Sequence, residues 1–188
     1  MGADDNASGA PISRFERLRC ALRGRPPTLP LGEALHPVTL AAIAVLAAND
    51  WVLKRRVPIA SPFHAVVGKL SDLAGLVAAP LVLSAIIGLA LLVARKLGAR
   101  VDPWLTHRRL VLCIAATGAV FAAVKLDAHA AAALARAISW FGRPAVIYRD
   151  PTDLLCLPML AVAYAIGRDE LRRLRSSSVP TAAPAARP

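Results

Sequence analysis

The sequence predicts an all-α, polytopic membrane protein with four transmembrane helices, arranged as two repeated helical hairpins. Three observations favour this fold. Hydrophobic residues make up 56% of the 188 positions, more than soluble domains usually contain. Four apolar runs follow one another near residues 37–54, 71–95, 109–128 and 148–168. The pattern Ser/Thr-Asp-Leu-x-x-Leu occurs twice, at residues 71–76 and 152–157.

The four predicted spans differ in the charges they carry. The first carries Asp50 near its outer end, and the second has no charge between Asp72 and Arg95. The third carries Lys125, and the fourth reaches spanning length only by including residues back to Tyr148. A transmembrane β-barrel is excluded because the alternation of apolar and polar residues that its strands need is absent.

The distribution of Lys and Arg predicts that both termini face the cytoplasm. Five basic residues precede the first span, five separate the second from the third and five follow the fourth, against four in each other connection. Cytoplasmic segments carry the excess of Lys and Arg. We therefore expect a multi-pass protein of the bacterial cytoplasmic (inner) membrane. Its parts are a basic, Pro/Arg-rich tail at 1–35, a four-helix membrane domain at 36–169 and a disordered cytoplasmic tail at 170–188.

Composition also limits the partners. The net charge of +11 suits a bilayer with anionic lipid headgroups, and no basic face with interleaved aromatics indicates nucleic-acid binding. Three cysteines without a CxxC pair predict no disulfide framework, and the four histidines lack metal-ligand spacing. We expect neither a metal nor a cofactor.

Polar residues at the outer helix ends form the candidate site. At about 1.5 Å per residue from the cytoplasmic ends, the charged positions of all four spans fall near one layer at the outer surface. Ionisable groups near lipid are costly and usually functional. The candidate ligand-binding residues are Asn49, Asp50, Lys54, Lys69, Asp72, Lys125, Asp127, Arg149, Asp150 and Asp153.

Several local arrangements are expected within this layer. Ser71 and Thr152 suit helix N-caps, with the repeated aspartates in the first turn. Asp50 and Lys54 are placed to pair at i and i+4. Lys69 and Asp150 each stand three residues before a repeated aspartate, so we expect them to pair between the hairpins.

One element resembles a known family. Asp50-Trp51-Val52-Leu53-Lys54 is similar to the D-x-x-x-K element in the first span of bacterial lipoprotein signal peptidases, which have four spans and two catalytic aspartates near the outer leaflet. That resemblance implies an intramembrane aspartate-dependent hydrolase, with Asp72, Asp153 and Asp50 as candidate catalytic residues. The other signatures of the family, Asn-x-x-Asp-Arg and Asn-x-Ala-Asp, are absent.

Three functions remain open at this point. The first is a polar pocket near the outer leaflet that binds or moves a small ion or an anionic or lipid-headgroup ligand. The second is the hydrolase, which needs one protonated and one ionised carboxyl close together, without a lysine between them. The third is a structural or assembly protein in which every charge is paired.

Two further expectations concern helix packing. The Ala-rich connection 128–142 predicts a short helix along the outer leaflet, with Trp140 in the headgroup zone. Small residues four apart allow helix backbones to approach closely in lipid. Such pairs are Gly75 with Ala79, Ser84 with Gly88, and Gly118 with Ala122.

Overall fold

The computed structural model describes residues 29–53, 56, 63–140, 147 and 149–177, and within these ranges the chain is all-helical. The helices are α1 (Pro37–Ala48), α2 (Phe63–Lys96), α3 (His107–Leu126), α4 (Ala128–Ser139) and α5 (Met159–Ser177). A π-helical turn, Asn49–Leu53, continues α1, and a 3₁₀ helix, Pro151–Cys156, precedes α5.

Two helices are long and apolar enough to cross a membrane: the Val66–Lys96 part of α2, and α3. The segment Pro37–Leu53 is apolar but shorter. The fourth predicted span is divided into the 3₁₀ helix and α5, and Pro158 lies in the break between them. The charged sequence that follows Gly167 further shortens the apolar part of α5.

Helix packing alternates in direction along the chain. Asn49 at the end of α1 bonds to Val67 near the start of α2, so these two helices are antiparallel. The side chains of α2 and α3 meet at both ends of their contact, again in antiparallel order. Between α2, α3 and α5 lies a core of buried apolar residues: Val77, Leu81, Leu105, Leu110, Ala163 and Ile166.

Two glycines allow α3 and α5 to approach closely. A Cβ at Gly167 would lie 2.3 Å from Cδ1 of Leu110, and a Cβ at Gly118 would lie 2.9 Å from Cδ1 of Leu160. No side chain fits at such distances without displacing its neighbour. The expected close approach is therefore confirmed at Gly118, while Gly167 was not among the predicted positions.

Ordered, packed residues extend past the bounds of 36 and 169 that were predicted for the membrane domain. α5 continues to Ser177 and so includes the first eight residues, 170–177, of the predicted C-terminal tail. At the other end, Glu33 was assigned to the cytoplasmic tail but is buried against α2 and α3. The two differences have the same cause. In both predicted tails, charged residues expected to face solvent make contacts with other residues of the chain.

The expected short helix after the third span is confirmed as α4, and it ends one residue before Trp140. The Trp140 side chain is 93% exposed. An exposed indole at the end of an apolar helix is typical of a membrane–water interface.

Candidate functional site

The site is centred on the ammonium group of Lys125, the penultimate residue of α3. Lys125 Nζ donates to Asp72 Oδ2 on α2 over 2.8 Å and to Asp153 Oδ2 in the 3₁₀ helix over 2.5 Å. Asp153 is 6% exposed and Lys125 is 9% exposed. Two carboxylates thus share one buried cation.

A second lysine completes the network on the side that is open to solvent. Lys69 Nζ donates to Asp153 Oδ1 over 2.8 Å and to the hydroxyl of Thr152 over 2.7 Å. It also lies 3.7 Å from Asp150 Oδ2, so the expected pairing of Lys69 with Asp150 is confirmed. Asp153 therefore accepts from one lysine on each of its oxygens, and it joins the buried part of the network to the exposed part.

The aspartate pattern that occurs twice adopts two different local structures. The expected N-cap at Ser71 is wrong, because α2 begins at Phe63, eight residues earlier, with no proline between Phe63 and Asp72 to stop it. The expected N-cap at Thr152 is also wrong. Asp150 caps the 3₁₀ helix instead, accepting from the Thr152 backbone N–H over 2.9 Å. Asp72 and Asp153 still converge on one lysine, although their backbones differ.

The remaining predicted residues lie around this network. Asp50 accepts from the Ser71 hydroxyl over 3.1 Å, and Asn49 is buried with its Nδ2 donating to the Val67 carbonyl over 2.9 Å. Arg149 is exposed near Asp127. Lys54, and with it the expected Asp50–Lys54 pair, lies outside the described residues.

Asp127 has a capping role. Its carboxylate accepts from the backbone N–H groups of Ala130 over 3.0 Å and His129 over 3.2 Å at the start of α4. These two bonds hold the pKa of Asp127 below its usual value. The residue fixes α4 beside the site and makes no hydrogen bond to Lys125.

The shared lysine determines which chemistry the carboxylates can perform. An aspartate-dependent hydrolase needs two carboxyls that face one site directly and share a proton. Here Lys125 Nζ hydrogen-bonds to both Asp72 and Asp153. Two carboxylates that share one ammonium group differ from the directly paired carboxyls of that requirement. Among the described residues, no group of His, Cys, Asp and Glu could hold a metal ion.

A cavity of about 490 Å³ adjoins the network between α2, α3 and α4. Its charged wall residues are Asp72 and Lys125, and Ser71 and Thr117 add hydroxyls. The rest of the wall is apolar and includes Gly75, Ala79, Leu83, Val120, Phe121 and Leu134. The volume lies within the range of sites that enclose small organic ligands. A polar end and an apolar body therefore occur in one cavity.

Gly75 contributes directly to the space in this cavity. A Cβ built at Gly75 would meet no atom within 4 Å. The small pair Gly75 and Ala79 was expected to bring helices together, but both residues line the cavity instead. A larger side chain at position 75 would occupy space that the fold leaves open.

A second polar cluster, missed in the sequence, lies nearer the other end of α2. Ser84 donates to Glu33 Oε1 over 2.8 Å and accepts from Arg109 Nε over 3.2 Å. Arg109 Nη1 donates to the Pro103 carbonyl over 3.0 Å, and its Nη2 lies 3.7 Å from Glu33 Oε1. The available signal was the acidic Glu33 close before an apolar run. Glu33 lies within the predicted basic tail at 1–35.

The charged network and its cavity thus bring Asp72 and Lys125 to the border of an open space. Sequence reasoning identified Lys69, Asp72, Lys125, Asp150 and Asp153, which the fold brings together. It did not identify the cavity, whose wall is made by ordinary apolar residues on three helices. Comparisons of the chain with protein-family models, with curated proteins and with solved structures found no match.

Proposed function

We propose that this chain is a four-span protein of the cytoplasmic membrane that binds an amphipathic ligand beside its outer charged network. Both termini face the cytoplasm in this proposal. The alternating directions of α1, α2, α3 and α5 support four spans, and α1 with its π-helical turn spans about 25 Å at 1.5 Å per residue. Exposed apolar side chains on α3, such as Leu112 at 68%, are suited to contact with lipid.

The observation that carries the binding proposal is the position of Asp72 and Lys125 in the wall of an otherwise apolar cavity. A ligand with a polar headgroup and an apolar chain matches this wall on both counts. The wall on α2 runs from Ser71 to Leu83, about 18 Å along the helix at 1.5 Å per residue. That length suits an extended hydrocarbon chain.

Movement of an ion through the cavity is less well supported than binding of an amphiphile. Beyond Asp72 and Lys125, the wall offers two hydroxyls. That of Ser71 already donates to Asp50 over 3.1 Å, and that of Thr117 already donates to the Cys113 carbonyl over 2.8 Å. A bare ion leaving the charged network would therefore lose its polar partners, at a cost of several kcal/mol. A purely structural role for the charges is the other alternative, and it predicts that the cavity has no specific occupant.

Photolabelling tests the proposal. The full chain in vesicles is exposed to a dodecyl amphiphile that carries a diazirine on its chain, and the labelled residues are identified by mass spectrometry. We expect adducts on cavity residues such as Val120 and Leu134, and their loss in Gly75→Leu.

Gly68→Leu is the matched control. Gly68 lies on the same helix, a Cβ there also meets no atom within 4 Å, and the residue is not part of the cavity wall. This variant should label as the native chain does. Equal labelling of the cavity in both variants, or adducts spread evenly over the outer surfaces of the helices, would contradict the proposal.

A further inference from the structure

We infer that the occupant of the cavity is a zwitterionic amphiphile with one chain, whose anionic group meets Lys125 and whose cationic group meets Asp72. This inference rests on the proposed function and adds the chemical class of the ligand. It follows from the charge of the wall, the hydrogen-bonding capacity of the two charged residues and the shape of the cavity.

The charge of the cavity wall is balanced. Asp72 and Lys125 are its two charged residues, and they form an ion pair with each other. Lys125 also pairs with Asp153, but the excess negative charge there is matched by Lys69. These four groups sum to zero, and the charge of Asp150, the further partner of Lys69, is screened by solvent because its side chain is half exposed. A ligand with a net charge would leave that charge unmatched in a mostly apolar enclosure, which is costly, whereas a zwitterion keeps the sum at zero.

Both charged residues retain capacity for a ligand. An ammonium group has three donors, and Lys125 uses two of them on the aspartates. Its Nζ also lies 5.4 Å from the centroid of the Phe121 ring, which is itself part of the cavity wall. A carboxylate has about four acceptor positions, so Asp72 can keep its bond from Lys125 while a ligand cation lies against its other oxygen.

The length of the apolar wall indicates that the ligand carries a hydrocarbon chain. A free headgroup, such as phosphocholine alone, would contact the charged end and leave the apolar wall from Gly75 to Leu83 without a partner. A hydrocarbon chain packs against that wall along its length, whereas a headgroup alone makes none of these contacts. A headgroup without a chain should therefore bind far more weakly.

Competition among dodecyl amphiphiles tests this inference. The purified full chain in dodecyl maltoside is titrated below micellar concentration with dodecylphosphocholine, dodecyl sulfonate or dodecyltrimethylammonium, and binding is followed by displacement of the photolabel. The native chain should bind dodecylphosphocholine about tenfold or more tightly than either charged amphiphile, because each charged amphiphile leaves Asp72 or Lys125 without a ligand group of opposite charge. Free phosphocholine should not displace the label.

Two single variants should reverse the preference in opposite directions. Lys125→Gln leaves Asp72 as the charged wall residue and should favour dodecyltrimethylammonium, while Asp72→Asn should favour dodecyl sulfonate. The double variant Asp72→Asn with Lys125→Gln removes both charges of the wall pair, and it should bind all three amphiphiles alike. Amphiphile binding by the double variant can still be measured if either single variant does not fold.

The outcomes separate this inference from the proposed function. If the native chain binds all three amphiphiles equally, or prefers a charged one, the zwitterion is excluded while amphiphile binding stands. If no amphiphile displaces the label in the native chain, both proposals fail. Displacement by free phosphocholine as effective as by dodecylphosphocholine would exclude recognition of the chain.

Discussion

Lys69 and Asp153 are 84 positions apart in the chain, yet Nζ of the lysine lies 2.8 Å from Oδ1 of the aspartate. The other oxygen of Asp153 accepts from Lys125, so this one carboxylate connects α2, α3 and the 3₁₀ helix. Asp72, in contrast, has Lys125 as its hydrogen-bonded basic partner among the described residues. The two repeated aspartates therefore contribute differently to the fold.

Substitution of Asp153 should destabilise the protein more than substitution of Asp72. Asp153→Asn leaves two lysines without their shared charge, and breaking a buried pair costs about 3–5 kcal/mol. Asp72→Asn should cost less, because the Asp72 side chain is 21% exposed and Lys125 retains Asp153. Thermal unfolding in detergent measures both. Asp150→Asn is the control, since its pair with Lys69 is exposed and worth about 0–1 kcal/mol. Equal losses for all three variants would contradict this ranking.

Reporter fusions test the proposed topology. Fusions after residues Ala7, Ala60, Arg100, Ser139 and Ser178 should read in, out, in, out, in, because α1, α2, α3 and α5 alternate in direction and the Lys and Arg excess marks the cytoplasmic side. An outer reading at Arg100 would place the charged network in the cytoplasm and overturn the proposed site.

The second polar cluster, formed by Glu33, Ser84 and Arg109, should be essential for stability. Arg109→Met removes the donor to Ser84 and to the Pro103 carbonyl and leaves Glu33 buried without this cation. We expect a loss of about 3–5 kcal/mol in the free energy of unfolding. Arg108→Met changes the adjacent exposed residue and should have little effect. A loss of similar size at Arg108 would indicate that total basic charge, and not the cluster, is what matters.

Two glycine-to-alanine changes should have opposite signs. At Gly167 the added Cβ would lie 2.3 Å from Leu110, so overpacking should cost about 1–3 kcal/mol. At Gly75 the Cβ meets no atom within 4 Å, so the higher helix propensity of alanine should stabilise α2 by about 0.5–1 kcal/mol. Chemical denaturation in mixed micelles measures both changes. Destabilisation at Gly75 would show that the cavity there is closed.

The cap of α4 should weaken in acid. The pKa of Asp127 is lowered in the folded chain by hydrogen bonds from Ala130 and His129, so its contribution is present above the unfolded-state pKa. The contribution is lost as pH falls through the lower, folded-state pKa. Hydrogen exchange of the Ala130 amide, followed from neutral pH downward, should show this loss. Asp127→Asn keeps a capping side chain, and exchange in that variant should vary less with pH.

The sequence predicts the charged network better than it predicts the backbone around it. Buried charge near lipid has few solutions, so Lys69, Asp72, Lys125 and Asp153 could be expected to meet. The local structure was harder to predict because Ser-Asp and Thr-Asp are compatible with both a cap and a helix interior. Asp72 proved to be interior, since residues 63–70 extend α2 before it.

Features that depend on the packing of distant helices could not be predicted. The cavity wall is made by apolar residues of α2, α3 and α4, which have the same sequence pattern whether they face lipid, protein or space. Burial of Glu33 depends on Ser84 and Arg109, which lie 51 and 76 positions further along the chain. No local periodicity records such contacts.

Pro80 lies inside α2, between Asp72 of the charged network and Ser84 of the second polar cluster. Because proline has no backbone N–H, the carbonyl of Leu76, a cavity residue, does not receive the usual bond from residue 80. We therefore expect α2 to bend most readily between its two polar attachments. The half that bears Asp72 can then tilt about this hinge to admit a ligand, while Ser84 holds the other half in place. Pro80→Ala would remove this hinge. With one spin label on each half of α2, the distribution of distances between the labels should then be narrower.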